Sequence, residues 1–166
     1  MSIKALFCLL LLISVEVLGQ NLPQNWQRIG EADLSILWFD VYNAELLSAD
    51  GRYLGVSNPL ILKLNYRRNI SQRDLLDETQ KQIEKFTHTE QVDVWLTKLS
   101  QMWPSIKKGD QLAFWVDQKN TGHFFFNDNW IGSLEDPAFS RAFIQIWLSD
   151  KSSYPDLAKK LRGSVK

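Results

Sequence analysis

The hydrophobic period of this chain switches three times along its length, and the order of those switches leaves few layer architectures open. From Leu34 to Leu47 apolar residues fill both alternating sets, with Leu34, Ile36, Trp38 and Tyr42 on one and Leu37, Phe39 and Val41 on the other. That pattern predicts one long strand with little exposed surface, or one bent between two environments. Asp50-Gly51 carries a hairpin turn signal. Leu60, Leu62, Leu64 and Tyr66 then alternate with Lys63, Asn65 and Arg67, which predicts a half-buried strand. At Ser71 the period lengthens. A serine with an acid three residues later, Asp74, can satisfy the free backbone donors of a helix start, and Leu75, Leu76, Thr79, Ile83 and Phe86 form its apolar stripe. A second helix carries Val92, Trp95, Leu96, Leu99 and Trp103 inward and ends at Pro104.

The short period returns in Leu112, Phe114 and Val116. Turn residues at Asn120-Thr121-Gly122 and Asn127-Asp128-Asn129 then set off His123–Phe126 and Trp130–Gly132 as two more strands of an antiparallel meander. Asp136-Pro137 opens a third helix with Phe139, Ala142, Phe143, Ile146 and Trp147 at core spacing. A last short helix runs from Ser153-Tyr154-Pro155-Asp156 to near Gly163. Strands and helices grouped in this way predict an α+β domain, an antiparallel sheet with helices packed on one face.

The first residues read differently. Met1–Lys4 is a short positive start, Ala5–Ile13 is apolar, and Val17-Leu18-Gly19 ends on a small residue before Gln20. This is the pattern of a secretory signal peptide over residues 1–19. The apolar run is shorter than the about 20 residues a spanning helix needs, so no stable membrane span is expected after cleavage. Cys8, the chain's one cysteine, falls inside this segment, and the mature chain would fold without disulfides. Residues 20–166 remain as a single domain large enough to bury a core. Nineteen basic and nineteen acidic side chains balance to zero, which argues against a nucleic-acid partner.

The inventory for chemistry is thin. His88 and His123 stand in no metal-ligand pattern, and nothing matches a nucleophile elbow or a phosphate-binding glycine loop. No metal or cofactor is expected. Asp74, Asp77, Glu78 and Glu84 share a helix with Arg73, Lys81 and Lys85, which reads as a solvated face with i, i+4 pairs. Arg67-Arg68, after the strand that ends at Tyr66, read as a charged strand exit or as an anion anchor, since a guanidinium holds a carboxylate with two parallel hydrogen bonds.

Several segments together resemble a known family. Gly30–Leu34 leads into Phe39–Leu46, followed by Pro59–Ile70, Trp103–Asp110, Gly132–Phe139 and Ile146–Ser149. This ordered set, from about Trp26 to Gly163, is similar to the bacterial chalcone isomerase-like family of exported proteins. The resemblance implies an open-faced sandwich, a large antiparallel sheet against a helical layer, with a ligand cleft between them. It also implies a periplasmic location. In the family's plant enzymes an arginine, a threonine and a tyrosine in that cleft serve ring closure, and relatives without the activity hold fatty acids with an arginine and a tyrosine. Setting the plant Val-Tyr pair on Val41-Tyr42 puts Leu37 in the threonine's place, and leucine donates no hydrogen bond. Arg28 matches the arginine only across a gap, and Ile70–Arg73 offers no tyrosine.

The preferred expectation is a non-catalytic exported protein that binds a small apolar or amphipathic ligand, fatty acid-like or aromatic. Trp38, Tyr42, Tyr66 and Trp147 are its candidate wall residues, and Arg28, Arg67 or Arg73 its candidate head-group anchors. The alternative is an intramolecular lyase or isomerase acting on a phenolic enone such as a chalcone. A third reading, a partner-binding envelope protein, expects a filled cleft and an exposed apolar patch, with the Trp103-Pro104 corner as the place to look.

Overall fold

The apolar run that begins at Leu34 forms two strands, not one. In the computed structural model, which describes residues 20–87 and 90–164, β1 (Gln27–Ile36) and β2 (Phe39–Ser48) pair antiparallel with Ile36 opposite Phe39. Leu37 and Trp38 make the turn between them, Leu37 at φ +58°. The alternation hid this turn because its residues are apolar and carry none of the usual turn chemistry. Asp50-Gly51 does turn, with Gly51 at φ +71°, but it opens a longer connection over residues 49–59 rather than a tight hairpin. The signal-peptide expectation and His88 lie outside the described residues.

The remaining elements follow the expected order. β3 (Leu60–Tyr66) is followed by α1 (Gln72–Ile83) and α2 (Gln91–Met102). The meander β4 (Gln111–Val116), β5 (Gly122–Phe126) and β6 (Asn129–Leu134) precedes α3 (Pro137–Leu148) and α4 (Pro155–Leu161). The six strands form one sheet in the order β1-β2-β3-β4-β5-β6, every neighbour antiparallel. With the helices on one face this is the α+β, open-faced arrangement expected. The Ser71 hydroxyl accepts from the Asp74 N–H at 3.1 Å and starts α1. Asp136 accepts from the Ala138 and Phe139 N–H groups at the start of α3, and its other oxygen accepts from Trp95 Nε1 at 2.9 Å. One carboxylate thus caps α3 and ties α2 to it.

Register decides what faces the helices. Leu46, Leu62, Phe114 and Phe124 are successive partners across β2 to β5, and all are buried. Against them pack Trp103, Phe139 and Phe143, with Phe143 reaching Phe114 at 4.7 Å and Phe139 at 5.3 Å between ring centres. Trp103 is 2% exposed, so the Trp103-Pro104 corner is no surface patch. Its ring meets Phe124 edge-on instead. The opposite face of the sheet is largely polar. A small cluster of Leu22, Ile61, Ala113 and Phe125 is buried there under the chain that precedes β1.

His123 lies on that second face. Its Nδ1 is 2.7 Å from Ser133 Oγ and its Nε2 is 3.1 Å from Asp117 Oδ2. Burial alone would raise the Asp117 carboxyl, but hydrogen bonds from His123 and from the Thr121 and Lys119 N–H groups hold it below the usual 3.8. A depressed carboxylate stabilises the fold above its unfolded value, and that contribution disappears as pH falls through the folded value. The gap in melting temperature between the native protein and Asp117→Asn is therefore expected to narrow on acidification below 3.8. A gap that stays constant in acid would show that the carboxylate contributes nothing through its charge.

Candidate functional site

The first three strands and two helices enclose a cavity at one end of the sheet. Pairing places Leu34 opposite Tyr42 and Tyr42 opposite Tyr66, so one row of side chains crosses β1, β2 and β3 beneath the helices. α1 closes the cavity with Leu75, Thr79 and Gln82, and α3 closes it with Ile146 and Trp147. Ile36, Val41, Ile70 and Tyr154 complete the wall, while Asp74 and Glu78, both exposed, stand at the rim. The enclosed volume is about 120 Å³. An engineered apolar cavity of roughly 150 Å³ admits benzene, so this one is on the scale of a small group or a short chain end.

Three hydroxyl or indole groups give the apolar cavity its polarity. Trp147 Nε1 donates to the Tyr42 hydroxyl at 2.9 Å. Indole N–H can only donate, so the Tyr42 proton remains free to be given elsewhere. The Tyr66 ring meets Tyr42 edge-on at 5.7 Å. Tyr66 is 4% exposed, and its hydroxyl has no hydrogen-bond partner among the described residues. Burial pushes both phenols well above their ordinary range, so both are neutral donors at any physiological pH. Thr79 contributes little polarity, because its hydroxyl donates to the Leu75 carbonyl at 2.8 Å.

Tyr42, Tyr66 and Trp147 thus stand together in the cavity wall. The other sequence-derived candidates do not join them. Trp38 is at the tip of the β1–β2 hairpin, 94% exposed. Arg67 follows inward-facing Tyr66 on an alternating strand, so it points to the other side, where it pairs with Asp33 at 2.8 Å. Arg28 pairs with Glu31, and Arg73 lies 3.7 Å from Asp77 on the solvent side of α1. Among the described residues no arginine or lysine lines the cavity. Sequence reading missed Leu34, Ile36, Val41, Ile70, Gln82 and Tyr154 as lining residues. Gln82 gave a usable signal, since it sits beside Ile83 on the inward side of α1 and is buried there.

The chemistry this arrangement supports is narrow. The ionisable groups of the lining are the phenols of Tyr42, Tyr66 and Tyr154 and two rim carboxylates, with no nucleophile–base pair among these described residues. No cluster of His, Cys, Asp and Glu suited to a metal ion occurs among the described residues. No helix among them is long and apolar enough to cross a membrane.

Comparison with known proteins agrees with the architecture. An uncharacterized protein of Haemophilus influenzae is 29% identical over 143 residues, covering 86% of this chain and 70% of its own length. Among solved structures, an Arabidopsis thaliana fatty-acid binding protein superposes with a TM-score of 0.70 at 11% identity, over 87% of this chain and 90% of its own. At that identity the likeness is one of fold. Residues 35–163 match the family profile described as chalcone isomerase-like. With that match running over most of its length, and with six antiparallel strands under four helices, the chain belongs to the chalcone isomerase-like family.

Proposed function

We propose that this protein binds a small apolar or amphipathic molecule in the cavity at Tyr42, Tyr66 and Trp147, without chemical conversion, after export to the periplasm. The observation that carries the reading is the Tyr66 hydroxyl, in the wall of an apolar cavity with no protein partner among the described residues. A phenol without a protein partner in an apolar pocket is a donor that a ligand acceptor would satisfy. A fatty-acid binding protein with the same fold supports a ligand-holding role. The lining of this cavity narrows the ligand class further. Without a lining cation, burying a carboxylate is expensive, and Asp74 and Glu78 at the rim add repulsion. The buried end of the ligand is therefore an uncharged acceptor such as a ketone, ester, amide or alcohol.

Native mass spectrometry of protein prepared from the periplasm without detergent tests this reading. A polypeptide mass beginning at Gln20, with an adduct released on denaturation, is the expected result. A bare mass counts against the ligand, and an intact leader counts against export. Tyr66→Phe sharpens the test. It is expected to leave the ligand-free protein at least as stable while weakening the ligand about tenfold, the worth of one hydrogen bond. A variant that is less stable and binds equally well would show that the hydroxyl serves the fold.

A second reading, an intramolecular lyase or isomerase on a phenolic enone, has the two neutral phenol donors in its favour, because such donors stabilise a developing oxyanion. Turnover of a chalcone that disappears in Tyr66→Phe would establish it.

A further inference from the structure

The β1–β2 hairpin ends in four consecutive large apolar residues, all in solvent. Ile36 is 44% exposed, Leu37 84%, Trp38 94% and Phe39 61%. Leu37 holds the first turn position at φ +58°, a left-handed conformation that favours glycine or asparagine. A leucine there is unfavourable for the backbone and leaves its side chain in water, so forming the turn is no reason for its presence. Beside the tip lies a shallow depression lined by Trp38, Phe39, Asp40, Arg67, Arg68 and Lys108. Arg67 is committed to Asp33 and Asp40. Arg68 instead lies over the Phe39 ring at 5.7 Å, and neither it nor Lys108 pairs with a carboxylate among the described residues.

We propose that this tip is a membrane-contact hairpin for bilayers carrying anionic lipid. Leu37 and Trp38 enter the interface between headgroups and acyl chains, and Arg68 and Lys108 meet the headgroup phosphates. Two features select this occupant. A narrow apolar point with an indole at its end suits the interfacial zone, where tryptophan is enriched. The two unpaired cations behind it complement an anionic surface, where each basic residue contributes about 1 kcal/mol. Ile36 belongs both to the hairpin end and to the cavity wall, so contact at the tip would bring the cavity mouth close to the bilayer. The hairpin proposal does not depend on the cavity being occupied.

The test uses the full chain with phosphatidylcholine vesicles, with and without phosphatidylglycerol, whose brominated acyl chains quench tryptophan fluorescence. Native protein is expected to show a quenched component on the anionic vesicles that Trp38→Phe lacks. Because that component is local to position 38, attachment through residues 1–19 cannot imitate it. Leu37→Asn, which suits the left-handed turn, and the pair Arg68→Glu with Lys108→Glu should each weaken the quenching titration about tenfold while melting temperatures hold. Equal quenching in Trp38→Phe, or no association with the anionic vesicles, overturns the proposal. So does a concentration-dependent dimer that Leu37→Asn abolishes in the absence of lipid quenching, which would assign the tip to a second copy of the chain.

Discussion

Truncating Phe143 to alanine is expected to destabilise the protein by about 3–5 kcal/mol, the range found for fully buried phenylalanines. Phe143 is 2% exposed and sits at the centre of the aromatic core. Its ring meets Trp103, Phe114, Phe124, Phe139 and Trp147, at centre distances from 4.7 to 5.9 Å. These partners come from the C-cap of α2 and from α3, β4 and β5, so they cannot all close in on the space left behind. Edge-to-face geometry adds to the loss beyond buried area alone. For a domain of this size the melting temperature should fall by roughly 10 °C. Chemical denaturation at an unchanged slope would confirm the loss as one of stability. A fall of only a few degrees would mean that the core collapses around the deletion, against the rigid packing described here.

The second large effect is expected at Gly30. A Cβ added there would lie 2.2 Å from the Lys160 carbonyl oxygen and 2.5 Å from that of Leu161. Both are backbone atoms, so no side chain can swing aside, and α4 must lift from β1. Gly30→Ala should cost roughly 3 kcal/mol through this overpacking. Gly109 is the control. It has φ +95° but nothing within 4 Å of an added Cβ, so Gly109→Ala reports backbone strain alone, about 1 kcal/mol. Hydrogen exchange would locate the damage. Faster exchange over residues 155–161 in Gly30→Ala, with β3 to β5 unchanged, is the expected pattern. Equal costs at the two glycines would mean that α4 does not rest on β1 as closely as the structure shows.

Much of the architecture could be read from spacing. The stripe Phe139, Ala142, Phe143, Ile146 and Trp147 is a helix face, and every member of it is buried. Leu60, Leu62, Leu64 and Tyr66 are likewise an inward strand face. Periodicity works here because the face of each of these elements toward the core is continuously apolar. It failed at Leu37-Trp38, where the turn is built from apolar residues and so carries no local mark. If the hairpin contacts a membrane, that failure has a cause, because the residues at the turn were then selected for their surroundings rather than for the bend.

The cavity divides in the same way. Tyr42, Tyr66 and Trp147 were legible as aromatic residues on inward faces, and the direction of Arg67 was implicit in the alternation that turned Tyr66 inward. Sequence by itself determined the order of the elements from β3 onward, the caps at Ser71 and Asp136, and the apolar stripes of the helices, because these depend on residues within a turn or two of one another. The tertiary structure alone decided that Leu34, Tyr42 and Tyr66 share a row, that Trp147 reaches the Tyr42 hydroxyl, and that Arg28, Arg67 and Arg73 stay outside the cavity. Those outcomes rest on strand register and on how the helices seat against the sheet. Such pairings join residues as far apart in the chain as Tyr42 and Trp147, and no local pattern records them.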